Sequence, residues 1–162
     1  MKPRTTAVGA SVLHEETVVA LAASEHLGVL HDALARFWTA MPTAPPNEWR
    51  YPFEAAVMEI ANNIIEHAYP QGRPDAKLKF RLRAYHDRVE AIFTDRGVPY
   101  EENSAPPAQE ADPLIADLAD FEVLAEGGRG IALARTAVDM LEYSRRARGA
   151  NRWRLVKRLR GQ

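Results

Sequence analysis

Lys77-Leu78-Lys79-Phe80-Arg81-Leu82-Arg83-Ala84-Tyr85, followed by Val89-Glu90-Ala91-Ile92-Phe93-Thr94, decides how this chain folds. In the first run Leu78, Phe80, Leu82 and Ala84 alternate with Lys77, Lys79, Arg81 and Arg83. A period of two marks a strand with one buried and one wet face. The second run, joined to the first around His86-Asp87, is short, apolar and partly β-branched, and reads as another strand. A sheet that is apolar on one side has to be covered there, and the flanking sequence supplies the cover.

Upstream, Phe53, Val57, Ile60, Ala61, Ile64 and Ala68 recur at about 100° per residue, the spacing of an amphipathic helix. It is expected to start near Pro52, where proline is tolerated in a first turn, and to end at Tyr69-Pro70-Gln71-Gly72-Arg73-Pro74. Ser24 is a candidate cap for an earlier helix through Leu27, Leu30, Ala33, Leu34 and Phe37, stopped by the Pro-rich piece Met41 to Pro46. Thr17 to Ala22 reads as a strand, and residues 1–14 as a loose arm. Downstream, four of the eleven prolines fall between Pro99 and Pro113, with a short helix expected over Leu114 to Phe121. Ile131, Leu133, Ala134, Val138 and Leu141 give a third helical pattern, and Trp153 to Leu159 a last strand. The expected fold is therefore α+β: a two-layer sandwich of a mixed, mostly antiparallel sheet with helices on one face. One domain would span 15–162.

The composition narrows the function. At 162 residues and 18.1 kDa the chain is long enough to bury a core without staples. It has no cysteine, which excludes disulfides, Cys-ligated zinc and thiol nucleophiles. No apolar run approaches the roughly 18 residues of a membrane helix, and the start lacks a signal-peptide core. A soluble cytoplasmic protein with no membrane partner is expected. The net charge of −1 hides a division: eight acidic and no basic residues from Glu101 to Glu126, eight basic and no acidic residues from Arg145 to Arg160. A basic tail suits nucleic acid, but its apolar–basic alternation reads better as an edge strand with a solvated cationic face. No direct nucleic-acid contact is expected.

Three segments carry chemistry. Glu59, Asn63 and His67 fall at i, i+4 and i+8 and form one stripe beside the apolar face. Asn62 and Asn63 mid-helix cost roughly 0.5 kcal/mol each relative to Ala. The stripe is either a solvated polar face or a site in which a carboxylate takes a proton and an amide oxygen holds a hard cation. Asp95-Arg96-Gly97 ends a strand, either as a plain turn or as an acceptor for an amino group with a glycine admitting a flat ring. Gly127-Gly128-Arg129-Gly130 precedes a helix, whose N-terminal N–H groups favour phosphate unless the glycines are only a flexible connection.

Taken in order, Glu59-x-x-x-Asn63-x-x-x-His67-Ala68-Tyr69, Asp95-x-Gly97 and Gly128-Arg129-Gly130-Ile131 resemble the N, G1 and G2 boxes of the GHKL (histidine-kinase-like) ATPases. The length and the Asn-x-x-x-His-Ala-Tyr ending look most like the small anti-sigma-factor serine/threonine kinases, a branch that Asn151-Arg152-Trp153-Arg154-Leu155-Val156-Lys157 also resembles.

The resemblance implies a Bergerat-type ATP-binding fold and a division of roles. Glu59 would be the general base acting on a partner's Ser or Thr hydroxyl, and Asn63 the Mg²⁺ ligand. Asp95 would accept from the adenine amino group, with Gly97 making room for the base. Gly128, Gly130 and Ile131 would shape the phosphate-binding helix start, Arg129 would add a cation, and residues 98–127 would be the nucleotide lid. The implied activity is phosphorylation of an anti-sigma antagonist with sequestration of a sigma factor, by a homodimer using ATP and Mg²⁺. Two departures keep a second reading open, a nucleotide-gated protein-binding switch without phosphoryl transfer. Ala150-Asn151 stands where the family often has a Thr, and the lid carries no Arg before Arg129.

Overall fold

The computed structural model describes residues 11–70, 72–101 and 129–159. In chain order the elements are β1 (His14–Leu21), α1 (Leu27–Ala40), α2 (Asn47–His67), β2 (Lys77–Ala84), β3 (Arg88–Asp95), α3 (Arg129–Ala137), β4 (Met140–Arg145) and β5 (Asn151–Arg158). The strands form one sheet in the order β1-β2-β3-β5-β4, and each of the four pairings is antiparallel. The fold is the expected α+β sandwich.

Register explains the two faces. Val18, Phe80, Phe93, Trp153 and Tyr143 lie in one row across the sheet, and Glu16, Leu82, Ala91, Leu155 and Leu141 in the row two residues away. The apolar members of these rows pack on Leu30, Phe37, Phe53, Ile60 and Ile64 of α1 and α2, with Phe80 and Phe93 stacked 4.7 Å apart. The alternate residues, among them Lys79, Arg81, Arg83, Arg152 and Arg154, fall on the other face. There Glu90 is only 3% exposed, held by Arg88 Nε at 2.8 Å and Arg154 Nη2 at 2.7 Å.

Several boundaries differ from expectation. The second helix begins at Asn47 rather than near Pro52, which lies inside it. Pro46 is extended and its carbonyl accepts from Trp49 and Arg50 N–H, both at 3.0 Å. Trp49 stacks on Phe53 at 5.6 Å and meets Trp38 edge-on, so aromatic packing holds the extra turn against the bond that Pro52 cannot make. Ser24 does not cap α1: it opens a 3₁₀ turn, Ser24–His26, and makes no side-chain cap. The third helix stops at Ala137, so Leu141 belongs to β4, a strand absent from the sequence reading. Here the sheet outcompetes helical periodicity: Asp139 N–H donates to Val156 O at 2.9 Å and its carboxylate accepts from Arg158 N–H at 2.7 Å, turning the chain into the ladder. As a result β5 is an inner strand, not an edge. The expected helix over 114–121 lies outside the described residues, as do Gly128 and all but the first four lid positions.

Candidate functional site

Helix α2 is the spine of the site. Glu59 and Asn63 stand one turn apart on it, both half-buried, and its C-terminal end reaches Ala68. From Glu59 to Ala68 is nine residues, about 13 Å along the axis at 1.5 Å per residue. A glycine from another element closes on each end of that span.

At the first end, Gly130 in the first turn of α3 lies against Glu59. A Cβ built on Gly130 would overlap the Glu59 carboxylate oxygen Oε2. Ile131 turns the other way into the core at 6% exposure, which seats α3 on α2. Arg129 opens the helix and has no ion-pair partner among the described residues.

At the second end, Gly97 packs on the α2 terminus, where a Cβ would overlap the carbonyl and Cβ of Ala68. The Val98 N–H donates to Ala68 O at 2.8 Å, and Arg96 N–H donates to the Tyr69 hydroxyl at 3.1 Å. Tyr69 thereby holds the Asp95-Arg96-Gly97 turn, while burial, above the smaller effects around it, raises its hydroxyl pKa. His67 stands at the last position of α2. Its side chain is 61% exposed and stands 3.7 Å from Glu66.

Asp95 is 2% exposed at the end of β3. Its Oδ1 accepts from the Gly97 N–H and from the Asn151 side-chain amide, both at 2.8 Å. No described residue donates to Oδ2. Burial pushes the Asp95 carboxyl above its ordinary value, against the opposing pull of the Asn151 amide, the Gly97 N–H and the Arg145 charge. Asp95 and Asn63 line one cavity of about 30 Å³, together with His67, Tyr100, Tyr143 and Asn151. That is room for one or two water molecules.

These positions fit the groups named from sequence. A buried carboxylate with one oxygen unpartnered among the described residues suits a base amino group, and two glycines whose Cβ atoms would collide mark places where backbone must come close. Among the described residues no cluster of three His, Cys, Asp or Glu side chains could hold a metal. A magnesium ion fits instead through the single oxygen of Asn63, since this ion commonly takes one or two protein ligands and fills its shell with water and phosphate oxygens.

Sequence reasoning undervalued three residues. Asn151 is 2% exposed and is the hub of the site, while Tyr143 and Arg145 donate to its Oδ1 at 2.7 and 2.8 Å. The signal was present: Tyr143 and Arg145 alternate with Glu142 and Ser144, but Leu141 extended the helical pattern across them. No described helix is long and apolar enough to cross a membrane.

The family model described as "Histidine kinase-like ATPase domain" matches residues 20–157. "Serine/threonine-protein kinase BtrW" of Bordetella bronchiseptica is 31% identical over 133 residues, covering 82% of this chain and 83% of the relative. "Serine-protein kinase RsbW" of Halalkalibacterium halodurans is 34% identical over 87 residues, 54% of this chain and 50% of the relative. The RsbW of Bacillus pumilus is 32% identical over 88 residues, 54% and 52%. The match thus spans about half the length of these RsbW relatives. The chain belongs to the family of histidine kinase-like ATPase domains.

Proposed function

We propose that this chain is an ATP–Mg²⁺-binding serine/threonine protein kinase that acts as an anti-sigma regulator, phosphorylating an anti-sigma antagonist and sequestering a sigma factor. The observation that carries the nucleotide site is the placing of Asp95 with Gly97 and of Glu59 with Gly130 at opposite ends of one stretch of α2. The kinase names of the relatives support the transfer, and the resemblance alone supports the partners and a homodimer.

In this reading Asp95 Oδ2 accepts from the base amino group, and Gly97 lets the ring lie against the backbone. The start of α3, with Arg129 and Gly130, faces the phosphates, where helix N–H groups and the Arg129 charge favour anions, while Ile131 seats the helix on α2. Asn63 would hold the magnesium ion, which when bound would supply charge neutralisation at the phosphate oxygens. Glu59 takes the proton from the acceptor hydroxyl. The freed oxygen forms a bond to the γ-phosphorus, the bond to the β-phosphate oxygen breaks, and ADP leaves. Entry of a purine ring requires Pro99 and Tyr100 to give up the cavity they now line.

Calorimetric titration with Mg-ATP tests the site: wild type binds, and Asp95→Asn binds roughly ten- to a hundredfold more weakly. Transfer of labelled γ-phosphate to a purified anti-sigma antagonist tests the activity. Glu59→Ala should lower it by about 10² to 10⁴, the usual worth of a general base, and an unchanged rate rejects the assignment. One observation favours the second reading, a nucleotide-gated switch without transfer. Ala150-Asn151 occupies the region where the family often has a Thr reaching toward the nucleotide, and the Asn151 amide is already committed to Asp95, Gly97 and Val98. ATP bound stoichiometrically in the presence of the antagonist, with no phosphate transferred, would establish that reading.

A further inference from the structure

Asn151 joins two groups of opposite chemistry. Its Nδ2 donates to Asp95 Oδ1 at 2.8 Å, Gly97 O at 3.0 Å and Val98 O at 3.1 Å. Its Oδ1 accepts from the Tyr143 hydroxyl at 2.7 Å and from Arg145 Nη1 at 2.8 Å. A guanidinium cannot accept and a backbone carbonyl cannot donate, so this network admits one orientation of the amide. The strand register brings it about: Asn151 on β5 lies directly between Asp95 on β3 and Arg145 on β4.

We infer that Asn151 is the positioning residue of the base subsite: it occupies Asp95 Oδ1, leaves Oδ2 as the one acceptor for an exocyclic amino group, and fixes Gly97 and Val98 beside it. Tyr143 and Arg145 set which end of the amide faces Asp95. Tyr143 also accepts from the Tyr100 N–H at 3.0 Å, so the same network anchors the first residues of the segment that closes the cavity. This inference rests on the nucleotide-site reading above.

A second consequence is electrostatic. Asp95 faces Asn151 on β5, Tyr143 and Arg145 on β4, the Gly97 N–H, Tyr69 and His67 at the end of α2, and Tyr100, and it borders a second cavity with Lys77 and Lys79 of β2, Arg73, Asp75 and Arg96. Among the described residues only Asn151 and Gly97 donate to its carboxylate. Withdrawing the Asn151 donor removes stabilisation of the ionised form, so the carboxylate should take up its proton at a higher pH.

The test uses the whole chain and Mg-ADP, which binds without turnover. Calorimetric affinity is measured from pH 5 to 8 for wild type, Asn151→Ala and Tyr143→Phe, and Asp95 is titrated by carboxyl ¹³C NMR in the ligand-free proteins. Asn151→Ala should weaken Mg-ADP about tenfold at pH 7 and move the Asp95 midpoint up by about one pH unit, the size of one hydrogen bond to a charged group. Tyr143→Phe should shift it the same way by less. A folded Asn151→Ala with the wild-type midpoint and affinity overturns the inference and leaves Asn151 a strand residue only. If Asn151→Ala does not fold, Tyr143→Phe and Arg145→Met decide, and two unchanged midpoints overturn it. Wild type that never binds Mg-ADP, with its Asp95 titration nonetheless shifted by these variants, rejects the nucleotide reading and, with it, the role as a base-site residue.

Discussion

Gly130 of α3 and Glu59 of α2 are in such close apposition that a Cβ on the glycine would overlap the carboxylate oxygen Oε2. The obstacle is the far end of a flexible side chain, not backbone, which makes this contact unlike that of Gly97.

Gly130→Ala should therefore fold normally, because Glu59 can swing aside and Ala is the better helix former by up to about 1 kcal/mol. Phosphoryl transfer should fall by an amount approaching that of Glu59→Ala, since the displaced carboxylate no longer meets the acceptor hydroxyl. Thermal unfolding and labelled-phosphate transfer, measured together, check this. A fully active variant would show that the glycine serves no purpose at Glu59.

Gly97→Ala should behave in the opposite way. Its Cβ meets the carbonyl and Cβ of Ala68, which cannot move without shifting the end of α2. We expect a loss of about 1–3 kcal/mol in stability, as for overpacking elsewhere, with weaker Mg-ADP binding. Urea denaturation and calorimetry separate the two effects.

The raised pKa of Asp95 fixes the direction of the pH response. Accepting from an amino group needs the ionised carboxylate, so Mg-ADP affinity should fall as pH drops through a value above the ordinary 3.8 of this side chain. Burial of the charge also costs stability once the group is ionised, and that cost grows as pH rises through the same value. Asp95→Asn should therefore unfold at no lower a temperature than wild type at pH 7, while losing roughly ten- to a hundredfold in affinity. Calorimetry at several pH values with a melting curve at each is the measurement.

Glu90 has the opposite sign. Burial pushes its carboxyl up, but the hydrogen bonds from Arg154 and Arg88 outweigh this and hold it below 4.5. The stability it contributes is present above that value and is lost as pH falls through the lower folded one. Glu90→Gln should cost about 1–3 kcal/mol at pH 7, and the difference from wild type should close below pH 4.5. Urea midpoints at pH 7 and in acid test it, and Mg-ADP affinity at pH 7 should not change.

Much of this was legible in the chain. The alternation from Lys77 to Ala84 and the apolar stripe from Phe53 to Ala68 are local, repeated patterns, and both strand and helix formed where they stand. Asp95 and Gly97 were legible because a strand, an acid and a glycine come within a few residues of one another. The start of α2 was not. Pro52 reads as a first-turn signal, and it is Trp49, stacked on Phe53 and edge-on to Trp38, that keeps the helix running back to Asn47.

Local order along the backbone, then, was written in the amino-acid pattern: which residues alternate, which recur every three or four, and which turn. Partnership between distant segments was not. Leu141 continued a helical period, yet hydrogen bonding of Asp139 to β5 drew that stretch into the sheet as β4. Only then did Tyr143 and Arg145 reach Asn151, and Asn151 reach Asp95, 56 residues away in sequence. Periodicity reports one element's own geometry. A backbone N–H or a buried carboxylate takes its partner from whichever strand the folded sheet sets beside it, and no local pattern encodes that choice.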